Sequence, residues 1–120
     1  MNFCWCTITT QNIEASIKFY TETVGLAITS RFSPRPGMEI VFMDDHKGNQ
    51  IELIKFADKD APTSREGLTI GFEVVSLEDT LTLVGLKGIP VTEGPYNTPK
   101  VKYFFVKDPD GIGVQFVEKL

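Results

Sequence analysis

The feature that most constrains this sequence is an internal duplication. The stretch GNQIELIKF at residues 48–56 follows an acidic turn, and GIGVQFVEK at residues 111–119 follows another acidic turn, DPDG. Corresponding positions, such as Gly48 and Gly111 or Glu52 and Gln115, are separated by about 63 residues. Since a chain of 120 residues has the size of one ordinary domain, the sequence predicts a single domain built from two similar halves.

Each half carries the same order of secondary-structure signals. In the first half, an alternating segment at residues 3–10 precedes an amphipathic helix that Asn12 caps and Gly25 ends. Three strands follow, separated by SPRPG and HKG turns, at residues 26–32, 38–45 and 49–56. The order predicted for this half is therefore βαβββ.

The second half repeats that order after a polar stretch with the composition of a linker. A strand at residues 68–75 precedes a helix that Ser76 caps and Gly88 ends. Three further strands are predicted, with PYNTP as the turn after the first of them, at residues 89–94, 101–108 and 112–120. We therefore expect two βαβββ modules, residues 1–57 and 67–120, joined by the linker 58–66.

Strand alternation predicts which residues face the helices. Ile51 and Leu53 alternate with Glu52, and Val114 and Phe116 alternate with Gln115 in the same way. The apolar residues are expected beneath the helices, so Glu52 and its counterpart face the opposite side. This pattern predicts an α+β fold in which the two modules form an incomplete eight-stranded barrel-like sheet, with the helices outside and a concave cup inside.

Composition and charge argue against several classes of partner. The net charge of −4 and the sequence pI of about 4.9 disfavour binding to nucleic acid or to an anionic membrane. No apolar run approaches the roughly 20 residues that a membrane span needs, and the first residues lack the pattern of a signal peptide. We therefore expect a cytoplasmic protein that binds neither nucleic acid nor membrane.

The cysteines and the histidine, which are good metal ligands in general, are not interpreted as a metal site. Cys4 and Cys6 share one face of the first predicted strand and are interpreted as small buried apolar residues. A single Cys-x-Cys pair without a second pair does not match the ligand spacing of a zinc site. The only histidine, His46, lies in a predicted hairpin turn and is interpreted as a solvated surface residue.

The whole chain resembles the vicinal oxygen chelate superfamily, which includes glyoxalase I, the extradiol dioxygenases and the bleomycin resistance proteins. The resemblance lies in the segments TITTQNIEASIKFYTETVGL, NQIELIKF, LTIGFEVVSLEDTLTLVGLKGIPV and FFVKDPDGIGVQFVE. It implies the glyoxalase/bleomycin resistance fold and a homodimer.

The resemblance also implies where a metal would be bound. In metal-dependent members, four ligands, usually His and Glu, come from the first and last strands of the two modules. The matching positions here are Trp5, Glu52, Thr69 and Gln115. Only Glu52 is a good metal ligand, and an indole cannot coordinate at all. We therefore expect neither a metal nor another cofactor, and the chemistry of glyoxalase I and of the dioxygenases is disfavoured.

These side chains suit the binding of a small molecule better than Lewis-acid chemistry. An aromatic ring, a carboxylate and neutral polar groups fit a polar or cationic aromatic ligand. Glu73 shares the face of Thr69 by strand alternation and adds a second acid. The residues predicted to bind the ligand, whose identity stays open, are Trp5, Glu52, Thr69, Glu73 and Gln115.

Two other functions stay open. In one, Glu52 is the catalytic acid or base of a lyase or isomerase resembling lactoylglutathione lyase. In the other, Trp5 fills the cavity and the protein is a non-catalytic module. A separate interpretation is that Glu52 is neutralised by Lys100, Lys102 or Arg31 and only holds the two modules together. Whether the modules pair within one chain or exchange between two chains also stays open.

Overall fold

The computed structural model describes all 120 residues, which divide into two compact units, Met1–Thr63 (unit 1) and Ser64–Leu120 (unit 2). Unit 1 contains four strands and one helix, and the helix continues into a π-helical turn at Phe19–Thr23. Its elements are β1 (Cys6–Thr9), α1 (Ile13–Lys18), β2 (Ala27–Arg35), β3 (Met38–Asp44) and β4 (Gln50–Phe56).

The strands of unit 1 form one sheet in the order β1-β4-β3-β2. β1 pairs with β4 in parallel, and the other neighbours are antiparallel. Parallel strands cannot be joined by a tight turn, and here α1, β2 and β3 lie between β1 and β4 in the chain, with α1 packed against β4. The predicted βαβββ order of this half is confirmed.

Unit 2 repeats this arrangement with β5 (Thr69–Glu73), α2 (Leu77–Leu86), β6 (Glu93–Asn97), β7 (Val101–Lys107) and β8 (Gly113–Lys119). Its sheet has the order β5-β8-β7-β6, with β5 parallel to β8 and the other pairs antiparallel. The hydrogen bonds thus form two separate four-stranded sheets, neither of which closes on itself. The duplication in the sequence therefore corresponds to two units with the same βαβββ order and the same sheet topology.

One face of each sheet forms the core of its unit. In unit 1, Leu53 lies directly across from Ile8 and Val41, and all three are almost completely buried. In unit 2, Phe116 lies across from Phe104, which is also fully buried. The opposite face of each sheet, called here the open face of the unit, carries the residues between these positions.

The helix termini agree with the sequence signals. Asn12 and Ser76 each accept a hydrogen bond from the backbone N–H three residues later, as helix-capping residues do. Gly25 and Gly88 follow the helical segments with φ values of 94° and 68°, a conformation that glycine adopts without strain. Neither helix has the length and apolar character needed to cross a membrane.

Two strand predictions were wrong at positions that contain proline. β2 continues to Arg35 and includes Pro34, and β6 spans Glu93–Asn97 and includes Pro95 instead of ending at residue 94. Both strands lie at an edge of their sheet, and both have a register shift at that place. Proline is tolerated there because an edge strand has backbone N–H groups without a partner strand.

The beginning of the chain also differs from the prediction. β1 starts at Cys6, so Phe3 lies outside the sheet and is largely exposed. Cys4 is exposed and Cys6 is only partly buried, so the interpretation of both cysteines as buried residues was wrong. The pairing of β1 with β4 runs from Cys6 and Ile51 to Thr9 and Ile54.

Candidate functional site

The open face of unit 1 is centred on Glu52. Its neighbours across the sheet are Thr7 on β1 and Phe42 on β3. Directly opposed residues point to the same side of a sheet, so these three side chains lie in one row across β1, β4 and β3. Trp5 precedes β1 by one residue and is on the same side as Thr7, in agreement with its ring contact to Phe42.

Glu52 is a buried carboxylate with an identified hydrogen-bond donor. Only 9% of the residue is exposed, and its Oε1 atom accepts a hydrogen bond of 2.6 Å from the hydroxyl of Thr7. A carboxylate has two oxygens and about four sites for hydrogen-bond donors, so this contact leaves acceptor capacity, including all of Oε2. The side chain can therefore receive a further donor while it stays oriented.

Arg31 does not neutralise Glu52. Its guanidinium binds Glu39 at 2.6 Å and also binds Glu14 on α1. These hydrogen bonds to Glu39 and Glu14 raise the pKa of Arg31 above its ordinary value, so the group remains charged. The suggestion that Arg31 pairs with Glu52 was therefore wrong, because two other carboxylates bind it.

Beside Glu52, three aromatic rings form a continuous row. The ring of Trp5 meets that of Phe42 edge to face, with centroids 5.1 Å apart, and Phe42 stacks with Phe32 at 6.5 Å. Trp5 is 44% exposed and Phe32 is 46% exposed, so the row presents apolar surface to the surroundings. Trp5 is therefore not packed into a closed core, contrary to the interpretation in which it fills a cavity.

The open face of unit 2 carries the remaining predicted site residues. Thr69 and Glu73 are exposed on β5, with Gly71 between them, and Gln115 is partly buried on β8. The parallel register places Gln115 opposite Gly71 and Thr69 opposite Gly113. The structure thus places Trp5 with Glu52 on the open face of unit 1, and Thr69, Glu73 and Gln115 on that of unit 2.

Glu73 differs from Glu52 in its surroundings. It forms an ion pair of 3.3 Å with Lys119 on the adjacent strand, and both side chains are mostly exposed. An exposed pair of this kind contributes little to stability, but it supplies Glu73 with a nearby positive charge. Glu73 is therefore a weaker candidate for attracting a ligand cation than Glu52.

Unit 2 also has an aromatic row on its open face. Tyr103 contacts Tyr96 and Phe105, with ring centroids 5.4 Å and 5.8 Å away. Phe105 lies directly across from Gln115, as Phe42 lies across from Glu52. Apart from Trp5, no member of either row was predicted from the sequence, although Phe42 and Phe105 have the same separation as Glu52 and Gln115, which is a signal of equivalent positions.

The residues at the family's metal positions do not fit a metal ion. Of these, Trp5 offers no lone pair, Thr69 and Gln115 are weak neutral donors, and Glu52 is the only anionic group. No group of three or more His, Cys, Asp or Glu side chains is placed to hold a metal ion. His46 lies in the loop between β3 and β4, with an exposed side chain 3.6 Å from Asp44.

Comparison with known protein families identifies the fold. The family model of the Glyoxalase/Bleomycin resistance protein/Dioxygenase superfamily matches residues 3–116. The chain belongs to this superfamily. A search of curated proteins found no match. Membership of the superfamily confirms the family that the sequence motifs indicated.

Solved structures of superfamily members share the architecture. A glyoxalase family protein from Bacillus cereus matches with a TM-score of 0.86 and 16% identity, covering 100% of this chain and 95% of that one. The trypanothione-dependent glyoxalase I of Leishmania major matches with a TM-score of 0.84 and 20% identity, over 98% and 86% of the two chains. The antibiotic-binding protein TnmS3 from a Streptomyces species gives 0.79 and 20%, over 100% and 97%. At these identities the likeness concerns the glyoxalase fold alone.

Proposed function

We propose that this superfamily member binds a small polar or cationic aromatic molecule without the help of a metal ion. The observation that carries the proposal is the juxtaposition of Glu52, a buried carboxylate, with the exposed row of Trp5, Phe42 and Phe32. We further propose that Thr69, Glu73 and Gln115 offer polar contacts on the open face of unit 2.

The chemistry of the open face of unit 1 favours an aromatic cation. A flat ring of the ligand gains apolar and edge-to-face contacts with the aromatic row, since aromatic pairs favour such geometries. A positive charge on the ligand is attracted to the electron-rich faces of Trp5 and Phe42 and to the carboxylate. Because Glu52 is already largely removed from water, it has lost much of its hydration before the ligand arrives.

The comparisons support a binding function only at the level of the superfamily. One structural neighbour is an antibiotic-binding protein and another is a glyoxalase I, so the shared fold accommodates both binding and catalysis. The four residues at the family's metal positions favour binding over metal-dependent catalysis, because three of them are neutral.

The fluorescence of Trp5, the only tryptophan, reports directly on the proposed site. We expect arylalkylamines, which are protonated at neutral pH, to change this fluorescence saturably. Their neutral alcohol analogues should bind more weakly. The variant Glu52→Gln should weaken amine binding roughly tenfold, because it removes the charge from the hydrogen bond. Glu22→Gln, which removes an exposed carboxylate elsewhere in unit 1, is the matched control.

Two results of this titration would contradict the proposal. If no amine in a broad panel changes the Trp5 signal, the interpretation as a non-catalytic module without a ligand is favoured instead. Equal binding by wild type and Glu52→Gln would show that the carboxylate does not contribute to recognition.

A second candidate function is that of a lyase or isomerase resembling lactoylglutathione lyase. The observation that favours it is a buried carboxylate, one oxygen of which is held by Thr7, on an accessible sheet face. Such a group can take a proton from a carbon next to a carbonyl. The resulting enediolate would lack an electrophile among the residues at the metal positions, so the rate should be low. Lactoylglutathione turnover that Glu52→Gln abolishes would favour this function.

A further inference from the structure

The hydroxyl group of Thr7 is the only group that donates a hydrogen bond to the carboxylate of Glu52. We propose that Thr7 is a positioning residue, which fixes the orientation of this carboxylate so that Oε2 is presented to the protonated amine of an aromatic ligand. This inference rests on the proposed binding function and adds to it a residue and a ligand geometry.

The geometry of the pair supports positioning. Thr7 and Glu52 are direct neighbours in the parallel register of β1 and β4, so the hydroxyl and the carboxylate meet across the sheet at 2.6 Å. Threonine is branched at Cβ and has few χ1 rotamers, which makes it a stiff donor. A stiff donor on Oε1 removes rotational freedom from Glu52 before a ligand arrives, and this lowers the entropic cost of binding.

The internal duplication provides a natural comparison. The position in unit 2 that corresponds to Thr7 is Gly71, which lies opposite Gln115 in the same parallel register. One module thus pairs an acid with a hydroxyl donor, whereas the other pairs an amide with a residue that has no side chain. A Cβ added at Gly71 would meet Gln115 Oε1 at 3.5 Å, an ordinary contact, so steric exclusion does not explain the glycine. The hydroxyl occurs in the module that has the acid to orient.

The remaining neighbours of Glu52 do not hold its carboxylate. Phe42, across from Glu52 on β3, provides an apolar ring. Arg31 lies across from Val41, so it points to the other face of the sheet, where Glu14 and Glu39 bind it. The orientation of Glu52 therefore depends on Thr7. Because one oxygen is engaged, a ligand that donates a single N–H⁺ to Oε2 fits better than a guanidinium, whose fork geometry matches both oxygens at once.

The test compares Thr7→Val, which has nearly the same shape without the donor, with Thr7→Ser, which keeps the donor. The probes are 1-naphthylmethylamine and its neutral analogue 1-naphthalenemethanol, titrated by ¹H–¹⁵N NMR. We expect wild type to prefer the amine, Thr7→Val to lose roughly tenfold of amine affinity with alcohol affinity unchanged, and Thr7→Ser to restore the preference. Thr92→Val is the control, since its hydroxyl donates to the Phe105 carbonyl in unit 2.

The outcomes distinguish this inference from the proposed function. If wild type binds the amine in preference to the alcohol and Thr7→Val keeps the same preference, Thr7 does not position Glu52 and the inference is overturned. If wild type shows no preference for the amine, the proposed function fails as well. Should Thr7→Val give the NMR spectrum of an unfolded chain, Thr7→Ala replaces it, and retained preference in that variant contradicts the inference in the same way.

Discussion

Glu52 and Gln115 occupy equivalent places in the two units but meet different neighbours. Glu52 has a hydroxyl partner in Thr7, while Gln115 lies opposite Gly71. At the scale of single residues, the two open faces have therefore diverged in charge and in hydrogen bonding while the backbone register stayed the same. This divergence is what makes unit 1 the candidate for binding a cation.

A second residue with a distinct electrostatic role is Asp45, in the loop between β3 and β4. Its Oδ1 accepts the backbone N–H groups of Lys47 and Asn49, and its Oδ2 accepts the Asn49 side-chain amide at 2.8 Å. The hydrogen bond from the Asn49 side chain is the main reason that the pKa of Asp45 is lowered from 3.8. These contacts hold the loop in which His46 has a φ of 62°.

We expect Asp45→Ala to reduce the free energy of unfolding by about 1 kcal/mol at neutral pH, through the lost hydrogen bonds. The folded-state pKa lies below 3.8, so this contribution is present above that pH and is lost as the pH falls through the folded-state pKa. Urea unfolding of wild type and variant at neutral pH and at about pH 2 measures it. A difference that is undiminished in acid would contradict the role of the ionised carboxylate, and the exposed Asp58→Ala provides the control.

At the scale of secondary-structure elements, alternation along each strand separates core from open face. Phe104 and Phe105 are adjacent on β7, yet Phe104 is completely buried and pairs with Phe116, while Phe105 is partly exposed and pairs with Gln115. Two neighbouring residues of the same type therefore have different surroundings, Phe104 in the core of unit 2 and Phe105 on its open face.

We expect Phe104→Ala to cost about 3 to 5 kcal/mol of stability, because it leaves a cavity in the core of unit 2. Phe105→Ala should cost only about 1 to 2 kcal/mol, because that ring is partly hydrated already. Thermal and urea unfolding of the two variants gives the comparison directly. Equal losses would show that the assignment of the two faces of β7 is incorrect.

The order of the secondary-structure elements could be predicted from the sequence, but the limits of the edge strands could not. The order of the elements was predictable because Asn12, Ser76, Gly25 and Gly88 act locally at the helix termini. The edge-strand prolines at residues 34 and 95 misled the prediction, since their tolerance depends on which strand lies at the edge of the sheet. Which strand lies at the edge depends on how the whole sheet is assembled, and the residues next to the proline do not indicate it.

At the scale of the whole molecule, the candidate site was only partly predictable. Alternation was enough to place Glu52 and Gln115 on the faces opposite the core. The hydrogen bond between Thr7 and Glu52 joins residues 45 positions apart in the sequence. It depends on the register between β1 and β4, which no local sequence pattern predicts. The aromatic rows have the same origin, because their rings come from different strands.

Duplication gives each unit its own sheet, core and open face. A site on the open face of one unit can therefore change while the other unit keeps its own contacts, as the glycine opposite Gln115 and the threonine opposite Glu52 illustrate. The domain boundaries at the linker 58–66, the homodimer and the cytoplasmic location remain predictions of the sequence.

The central claim is that recognition comes from Glu52 and the aromatic row, without a metal ion. The most direct measurement is calorimetric titration of 1-naphthylmethylamine into protein stripped of metal with a chelator, repeated after addition of Zn²⁺ or Ni²⁺ in excess of the chelator. We expect saturable binding to the stripped protein with an affinity that the added ion does not increase. Binding that occurs only in the presence of the ion would contradict the claim.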